Sequence, residues 1–131
     1  MHVIPSEAEL AILTALWRCG PSTVREVHEA LAKDTGYTST LKQMQVMNEK
    51  GLLRRSERYR SHVYEPAVSK EEVQARIAGD VLQRAFEGSA SNLVLGALTA
   101  QRASAEDLAE IRRVIDEFET GGKRDDERDL V

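Results

Sequence analysis

The chain has 131 residues, of which 41% are hydrophobic and 31% charged, and its formal net charge is −4. This length suits one domain, or one domain with a short appendage, and a core that needs no disulfide. The single cysteine, Cys19, excludes an internal disulfide. We identify no signal peptide and no apolar run near the roughly 20 residues that a membrane span requires. We therefore expect a cytoplasmic protein that does not insert into membranes.

Three short amphipathic helices are predicted before Gly51. The first begins at Ser6, which forms a capping-box pattern with Glu9, and it ends at Gly20. The second begins at Ser22 or Thr23, with Glu26 three residues after Thr23, and it ends at Gly36, where glycine interrupts the periodic pattern.

The third helix is predicted to be capped by Thr38-Ser39 and to run to about Lys50, with Met44 and Met47 directed inward. Gly51 then provides a stop, because glycine adopts the left-handed conformation without strain.

A β-hairpin is predicted after this third helix. The apolar pairs Leu52-Leu53 and Val63-Tyr64 flank a basic connection over residues 54–60, and Pro66 ends the hairpin. Three helices followed by a hairpin is the order of a winged helix-turn-helix. We therefore predict a mainly α fold with a small β-hairpin, in which residues 1–66 form a winged-helix DNA-binding domain.

The charge is distributed unevenly along the chain. From Gly36 to Tyr64 there are six Lys or Arg against two Glu, a net charge of +4. From Ala67 onward there are nine basic and fourteen acidic residues, a net charge of −5. DNA binding requires a local basic face rather than a basic protein. The alternative is that the basic run is an ordinary solvated surface.

The apolar periodicity of residues 67–120 predicts three further helices. These helices carry more apolar surface than about fifty residues can bury alone. We predict that this segment is a helical dimerisation domain and that residues 121–131 form a flexible charged tail. The alternative is that these helices fold back on the N-terminal domain of the same chain. The apolar residues assigned to dimerisation are Val73, Ile77, Val81, Leu93, Val94, Leu98, Leu108, Ile111, Ile115 and Phe118.

The third helix is expected to enter the major groove of duplex DNA through its N-terminal half. The residues predicted to contact DNA are Thr38, Ser39, Leu41, Lys42 and Gln45 on this helix, and Arg54, Arg55, Arg58 and Arg60 in the hairpin. Lys42 can donate to guanine or phosphate, and Gln45 can pair with adenine. For Thr38 the alternative is a purely capping role, and for Leu41 it is packing against the hairpin rather than a thymine methyl.

The hairpin arginines are expected to contact phosphates or the minor groove, which gives affinity and register rather than sequence choice. Neighbouring residues of a strand point to opposite faces, so at most one of Arg54 and Arg55 is expected to meet DNA directly.

Catalytic patterns are not found. His2, His28 and His62 are isolated in the sequence, and no pair has the spacing of metal ligands. There is no glycine-rich phosphate loop and no G-x-S-x-G nucleophile motif. We therefore expect no enzymatic activity, no metal and no cofactor.

The segment from Gly36 to Leu53 resembles the penicillinase-repressor family, BlaI/MecI/CopY, as do the first helix from Ile4 to Trp17 and the hairpin segment Ser61-His-Val-Tyr-Glu-Pro66. The resemblance continues in the same order through most of the chain. It implies a homodimeric transcriptional repressor that binds a pseudo-palindromic operator. It also implies that inducible members are released when a membrane-bound metalloprotease sensor cleaves them in the C-terminal region.

The sequence departs from this family in three places. It lacks the C-terminal cysteine cluster of copper-sensing members. Gly96-Ala97 stand where β-lactam-responsive members have a cleaved Asn-Phe bond, and Thr40 and Gln43 replace apolar residues on the third helix.

Two other functions fit parts of the pattern: a protein-interaction module whose acidic half binds a basic partner, and a regulator that senses a small molecule between dimer helices.

Overall fold

The protein is described by a computed structural model that covers residues 4–31, 36–58 and 60–129, with side chains as far as Gly121. It divides into two compact units, residues 1–84 and 85–131. The elements in chain order are α1 (Glu7–Cys19), α2 (Val24–Leu31), α3 (Tyr37–Lys50), β1 (Leu53–Arg58), β2 (Ser61–Pro66), α4 (Lys70–Ala85), α5 (Ala90–Ala100) and α6 (Ala105–Asp129). The predicted fold class, mainly α with one antiparallel hairpin in winged-helix order, is confirmed.

Reciprocal capping boxes start the first two helices, as their sequences predict. The Ser6 hydroxyl accepts a hydrogen bond from Glu9 N at 3.2 Å, while Ser6 N donates to the Glu9 carboxylate at 2.9 Å. Thr23 and Glu26 repeat the pattern at 3.2 and 3.0 Å. These bonds satisfy backbone N–H groups that have no partner within the helix.

The start of α3 differs from the prediction. The helix begins at Tyr37, and its N-cap is Gly36 in an extended conformation without a side-chain cap hydrogen bond. Thr38 and Ser39 therefore lie in the first turn, and the prediction that they cap the helix is wrong. Glycine is an accepted N-cap because it costs only a few tenths of a kcal/mol relative to a hydroxyl-bearing residue. Gly51 ends α3 in the left-handed conformation, as predicted, with φ 85°.

The core of the first unit lies between α1, α2, α3 and the base of the hairpin. Its fully buried side chains include Leu13, Leu16, Met44, Met47, Leu52, Leu53 and Tyr64. The hairpin base is fixed to the start of α2 by two backbone bonds, from Ser22 N to Tyr64 O at 3.0 Å and from Tyr64 N to Ser22 O at 2.8 Å. The position of the hairpin relative to α2 and α3 is therefore set by both packing and hydrogen bonds.

The first half of α4 belongs to this same core. Val73 is fully buried in it and Ile77 packs against it, while Trp17 Nε1 donates to Val68 O at 3.1 Å. The assignment of Val73 to a dimer interface is wrong, because its side chain has no surface left for a partner. The predicted domain boundary at residues 66/67 likewise lies before the division at residues 84/85, because α4 supplies part of the core.

The second unit consists mainly of α5 and α6. An ideal Cβ built at Gly96 in α5 would lie 3.3 Å from the ring of Phe86, so glycine permits close packing there. The predicted flexible tail begins at residue 121, but α6 continues to Asp129. Gly51 ends α3 with a positive φ, whereas Gly121 has no positive φ. A glycine inside a helix lowers the stability of the helix by about 1 kcal/mol but does not by itself end it.

Within the described ranges, every helix is too short or too polar to cross a bilayer.

Candidate nucleic-acid interface

The third helix has one buried face and one exposed face. Thr40, Met44 and Met47 are buried in the core. Thr38, Lys42 and Gln45 are exposed on the opposite face, and their spacing of four and three residues keeps them on one side of the helix. Helix α3 therefore carries a cation, an amide and a hydroxyl on a surface that the core leaves open.

The hairpin separates its two neighbouring arginines, as strand alternation predicts. Arg55 stands opposite Tyr64 in the strand register, and Arg54 stands opposite Glu65. The Arg54 guanidinium lies 3.5 Å from the Glu65 carboxylate, so its charge is partly neutralised. Arg55 thus remains as the better candidate of the pair for a contact with DNA.

The prediction that residues 54–60 form a loop is wrong. The paired strands extend to Arg58 and Ser61, and Arg60, directly before the second strand, adopts a φ of 65°. The polar side chains of this segment suggested a loop, but most of them are exposed on the strands. A hairpin whose faces are partly solvated tolerates charged residues within its strands.

A cleft of about 370 Å³ lies between α2, α3 and the hairpin. It brings together four of the predicted DNA-contacting residues, which come from two different elements: Leu41, Gln45, Arg55 and Arg60. It is also lined by residues that the sequence analysis did not assign to DNA contact, namely Thr23, Val24, Arg25, Tyr37, Ser61, His62 and Tyr64. Leu41 also packs against the core, so the alternative predicted for it, apolar packing, accounts for part of its surface.

A second groove, of about 380 Å³, runs along the other edge of α3 beside the start of α1. It is lined by Ser6, Glu9, Ser39, Lys42, Gln43, Val46 and Lys50. The structure therefore places Ser39 and Lys42 on a different edge of α3 from Leu41 and Gln45. Thr38, Arg54 and Arg58 line neither of these two openings, although all three side chains are exposed.

Two polar contacts join α3 to the helices that precede it. His28 Nδ1 lies 3.0 Å from Thr40 Oγ1, which gives the buried hydroxyl a partner and shows how a polar residue is accommodated at that position. At the other end of α3, Lys50 Nζ donates to the buried Glu9 carboxylate at 3.0 Å. Burial would raise the pKa of Glu9, but the hydrogen bond from Ser6 N and the Lys50 ammonium together hold that pKa below its usual value.

The residue pair that the sequence analysis missed is Arg25 with Tyr37. The Arg25 guanidinium lies over the Tyr37 ring, 5.2 Å from its centroid, and the ring is also in edge contact with His28. Both residues flank segments that were identified, the cap at Thr23 and the first turn of α3. The only sequence signal was an aromatic residue, Tyr37, directly before the predicted contact residues.

In the part of the chain that the structure describes, no group of three or more His, Cys, Asp and Glu side chains is placed to hold a metal ion. Cys19 is exposed.

Several known proteins are similar to this chain. The family model described as penicillinase repressor matches residues 5–117. A protein of Mycobacterium tuberculosis described as "Transcriptional regulator BlaI" is 33% identical over 118 residues, which cover 88% of this chain and 85% of that protein. The "Penicillinase repressor" of Bacillus licheniformis is 24% identical over 127 residues, covering 94% of this chain and 99% of the relative. A solved ArsR family transcriptional regulator superposes with a TM-score of 0.45 at 25% identity, over 64% of this chain and 81% of that one.

Proposed function

This chain belongs to the penicillinase repressor family, and from that premise we propose that it is a DNA-binding transcriptional repressor and not an enzyme. The relatives are described as a transcriptional regulator and a repressor, and neither description names a reaction. We further propose that the operator is pseudo-palindromic and is bound by a homodimer.

The observation that carries the DNA-binding proposal is the exposed face of α3 beside the basic hairpin. Lys42 and Gln45 are exposed on α3, and Arg55 and Arg60 line the cleft that adjoins it. An α-helix fits the major groove of B-DNA, where lysine can donate to guanine and glutamine can pair with adenine. Arginines at the side of such a helix contact phosphates and fix the register of the protein on the duplex.

The dimer proposal is supported by the apolar side chains that the second unit leaves exposed. Phe118 is 77% exposed, Leu95 63% and Ile115 49%. Side chains of this kind at successive turns of a helix mark an interaction surface, and a second copy of the chain supplies the same surface in reverse. Two copies joined in this way present two α3 helices to two half-sites of one duplex.

We propose proteolysis in the C-terminal region, by a membrane-bound metalloprotease sensor, as the route of release. The Gly96-Ala97 bond lies within α5, where Gly96 packs closely against Phe86. Gly96-Ala97 lacks the Asn and Phe of the bond that is cleaved in β-lactam-responsive members, so the sequence does not identify it as the cleaved bond. Cleavage at any bond of α5 requires local opening of this helix, because a protease acts on an unfolded segment. We therefore expect release to be slow unless the sensor first opens this helix.

The test is selection of duplexes from random DNA, followed by fluorescence anisotropy with the selected sequence over a range of salt concentrations. Affinity is expected to fall steeply with salt, because the protein displaces counterions from the phosphates. Lys42→Ala is expected to lose about tenfold or more in affinity for the selected sequence. Lys70→Ala, which removes an exposed lysine at the start of α4, is the matched control and should bind as the wild type does. Binding that does not respond to salt would contradict the proposal.

A further inference from the structure

We propose that Arg25 of α2 binds a phosphate of the DNA backbone and that Tyr37 of α3 positions its guanidinium for this contact. This proposal rests on the proposed function, because it assumes that duplex DNA lies against α3. It adds a third DNA-contacting element, α2, to the helix and hairpin already described. The binding site is the cleft between α2, α3 and the hairpin.

The first support is the charge of this cleft. Its lining carries three arginines, Arg25, Arg55 and Arg60, and no carboxylate. His62 also lines it, but its ring lies 3.9 Å from Glu57 and is not counted with these cations. Among the described residues, no acidic side chain lies within 4.0 Å of these three guanidinium groups. A polar opening with several uncompensated cations attracts a polyanion and lowers the electrostatic cost of bringing a phosphate into it.

The contrast with other arginines of the chain strengthens this point. Arg54 faces Glu65 at 3.5 Å, and Arg84 faces Asp80 at 3.1 Å. Arg113 is held between Glu110 and Glu117. The arginines outside the cleft thus include several that are neutralised within the chain, whereas those that line it keep their charge for a partner.

The second support is the geometry of Arg25 itself. Its guanidinium lies 5.2 Å from the centroid of the Tyr37 ring, and the ring meets His28 edge-on at 6.1 Å with an interplanar angle of 83°. A guanidinium over an aromatic ring keeps its N–H groups available at its edge, where they match two oxygens of one phosphate. Because the contact with the ring restricts the long side chain, less conformational entropy is lost when the phosphate binds.

The third support is the position of Tyr37. It is the first residue of α3 and lies one residue before Thr38, on the helix whose exposed face carries Lys42 and Gln45. His28, which contacts the ring, also bonds to Thr40 in the same helix. A phosphate bound by Arg25 would therefore fix the N-terminal turn of α3 relative to the duplex, which is the end expected to approach the bases.

The test measures the affinity of the full chain for the selected duplex and for a random duplex of equal length, each over a salt series. Arg25→Ala is expected to weaken both by a similar factor, about five- to tenfold, and to reduce the slope of log K against log salt by about 1. Arg25→Lys should keep the slope and recover part of the affinity, because it retains the charge without the planar edge. Arg18→Ala, at an exposed arginine in the last turn of α1, is the matched control and should change neither quantity.

Tyr37 has its own pair of variants. Tyr37→Phe keeps the ring and should bind as the wild type does, whereas Tyr37→Leu should weaken binding to both duplexes without changing the salt slope. That pattern separates a positioning residue from a charged contact. All of these substitutions are at exposed side chains, so we expect the variants to keep the fold. Melting temperatures of the variants and of the wild type provide the check.

Two results would overturn the proposal while leaving the proposed function intact. One is that Arg25→Ala leaves affinity and slope unchanged although Lys42→Ala still weakens binding. The other is a titration with inorganic phosphate, followed by NMR, in which phosphate saturates the cleft at micromolar concentration and this binding requires Arg25, whereas DNA binding does not. That result would assign the site to a free anion. If instead the wild type binds no duplex under any salt condition, it is the proposed function that fails.

Discussion

The imidazole Nδ1 of His28 lies 3.0 Å from the hydroxyl oxygen of Thr40, so that α2 and the buried face of α3 are joined by a side-chain hydrogen bond. Thr40 is only 5% exposed, so its hydroxyl has little access to solvent. A buried hydroxyl without a partner costs free energy, and His28 removes that cost. The pair therefore fixes both the packing and the orientation of the first turns of α3.

Thr40→Val is expected to lower the free energy of unfolding by about 1–2 kcal/mol, because it leaves the partly buried His28 nitrogen without its partner. Urea denaturation of the wild type and the variant measures the difference. In the double variant Thr40→Val with His28→Leu, both polar groups are gone, and the loss should be smaller than the sum of the two single losses. Strict additivity would show that the two side chains do not interact.

The pair of Glu9 and Lys50 predicts a pH dependence of stability. The pKa of Glu9 is lowered in the folded protein, so its contribution to stability is full above the ordinary value of 4.5 and is lost as the pH falls through the lowered value. Glu9→Gln should therefore flatten the acid limb of a plot of unfolding free energy against pH. The control is Glu7→Gln, at an exposed first-turn residue of the same helix. An acid limb that is unchanged in Glu9→Gln would contradict the expected role.

Lys50→Ala tests the same pair from its other side. It removes the ammonium from a carboxylate that is almost fully buried, and we expect a loss of about 1 kcal/mol at neutral pH, small because the lysine side chain is 46% exposed. Thermal and urea unfolding measure it. A loss that disappears at low pH, where Glu9 is protonated, would identify the ion pair as its cause.

Gln45 is expected to contribute to sequence choice rather than to general affinity. Gln45→Ala should weaken binding to the selected operator by about 1–3 kcal/mol, because a bidentate pair with adenine is lost. Binding to random DNA should hardly change, since that affinity comes from phosphate contacts. Competition anisotropy with single-base variants of the operator measures both. Equal weakening on all sequences would assign Gln45 to the backbone instead.

Phe118 is expected to be a central residue of the dimer surface. Phe118→Ser should shift the chain from dimer toward monomer at micromolar concentration. The Phe118 ring is 77% exposed in the single chain, and the substitution removes the apolar surface that a partner would cover. Analytical ultracentrifugation measures the dissociation constant. Glu119→Ser, at the neighbouring exposed position, is the control. A wild-type chain that sediments as a monomer would remove the basis for the homodimer.

Two glycines within helices should respond differently to alanine. Gly79 in α4 has nothing within 4 Å of an added Cβ, so Gly79→Ala should stabilise the chain by up to about 1 kcal/mol through helix propensity. At Gly96 the added Cβ would lie 3.3 Å from the Phe86 ring, so that displacement of the ring offsets the same gain. Calorimetry on both variants makes the comparison. An equal gain at Gly96 would show that the ring moves aside at no cost.

The sequence by itself determined the elements and their order. Capping boxes at Ser6 and Thr23, the glycine at the end of α3 and the apolar periodicity are local features, and they encode local structure because helix ends and faces depend on residues only a few positions apart. The basic segment from Gly36 to Tyr64 was also visible in the distribution of charged residues along the sequence. These features were enough to predict a winged-helix arrangement and the exposed face of α3.

Only the tertiary structure decided which residues share a surface. It separated Leu41 and Gln45, which line a cleft with the hairpin, from Ser39 and Lys42, which line a groove beside α1. It also placed Val73 in the core. It also brought Arg25 over Tyr37, twelve positions apart in the sequence. Contacts of this kind depend on how helices pack, and the packing of a core is set by the shape and volume of many side chains together, which no local pattern records.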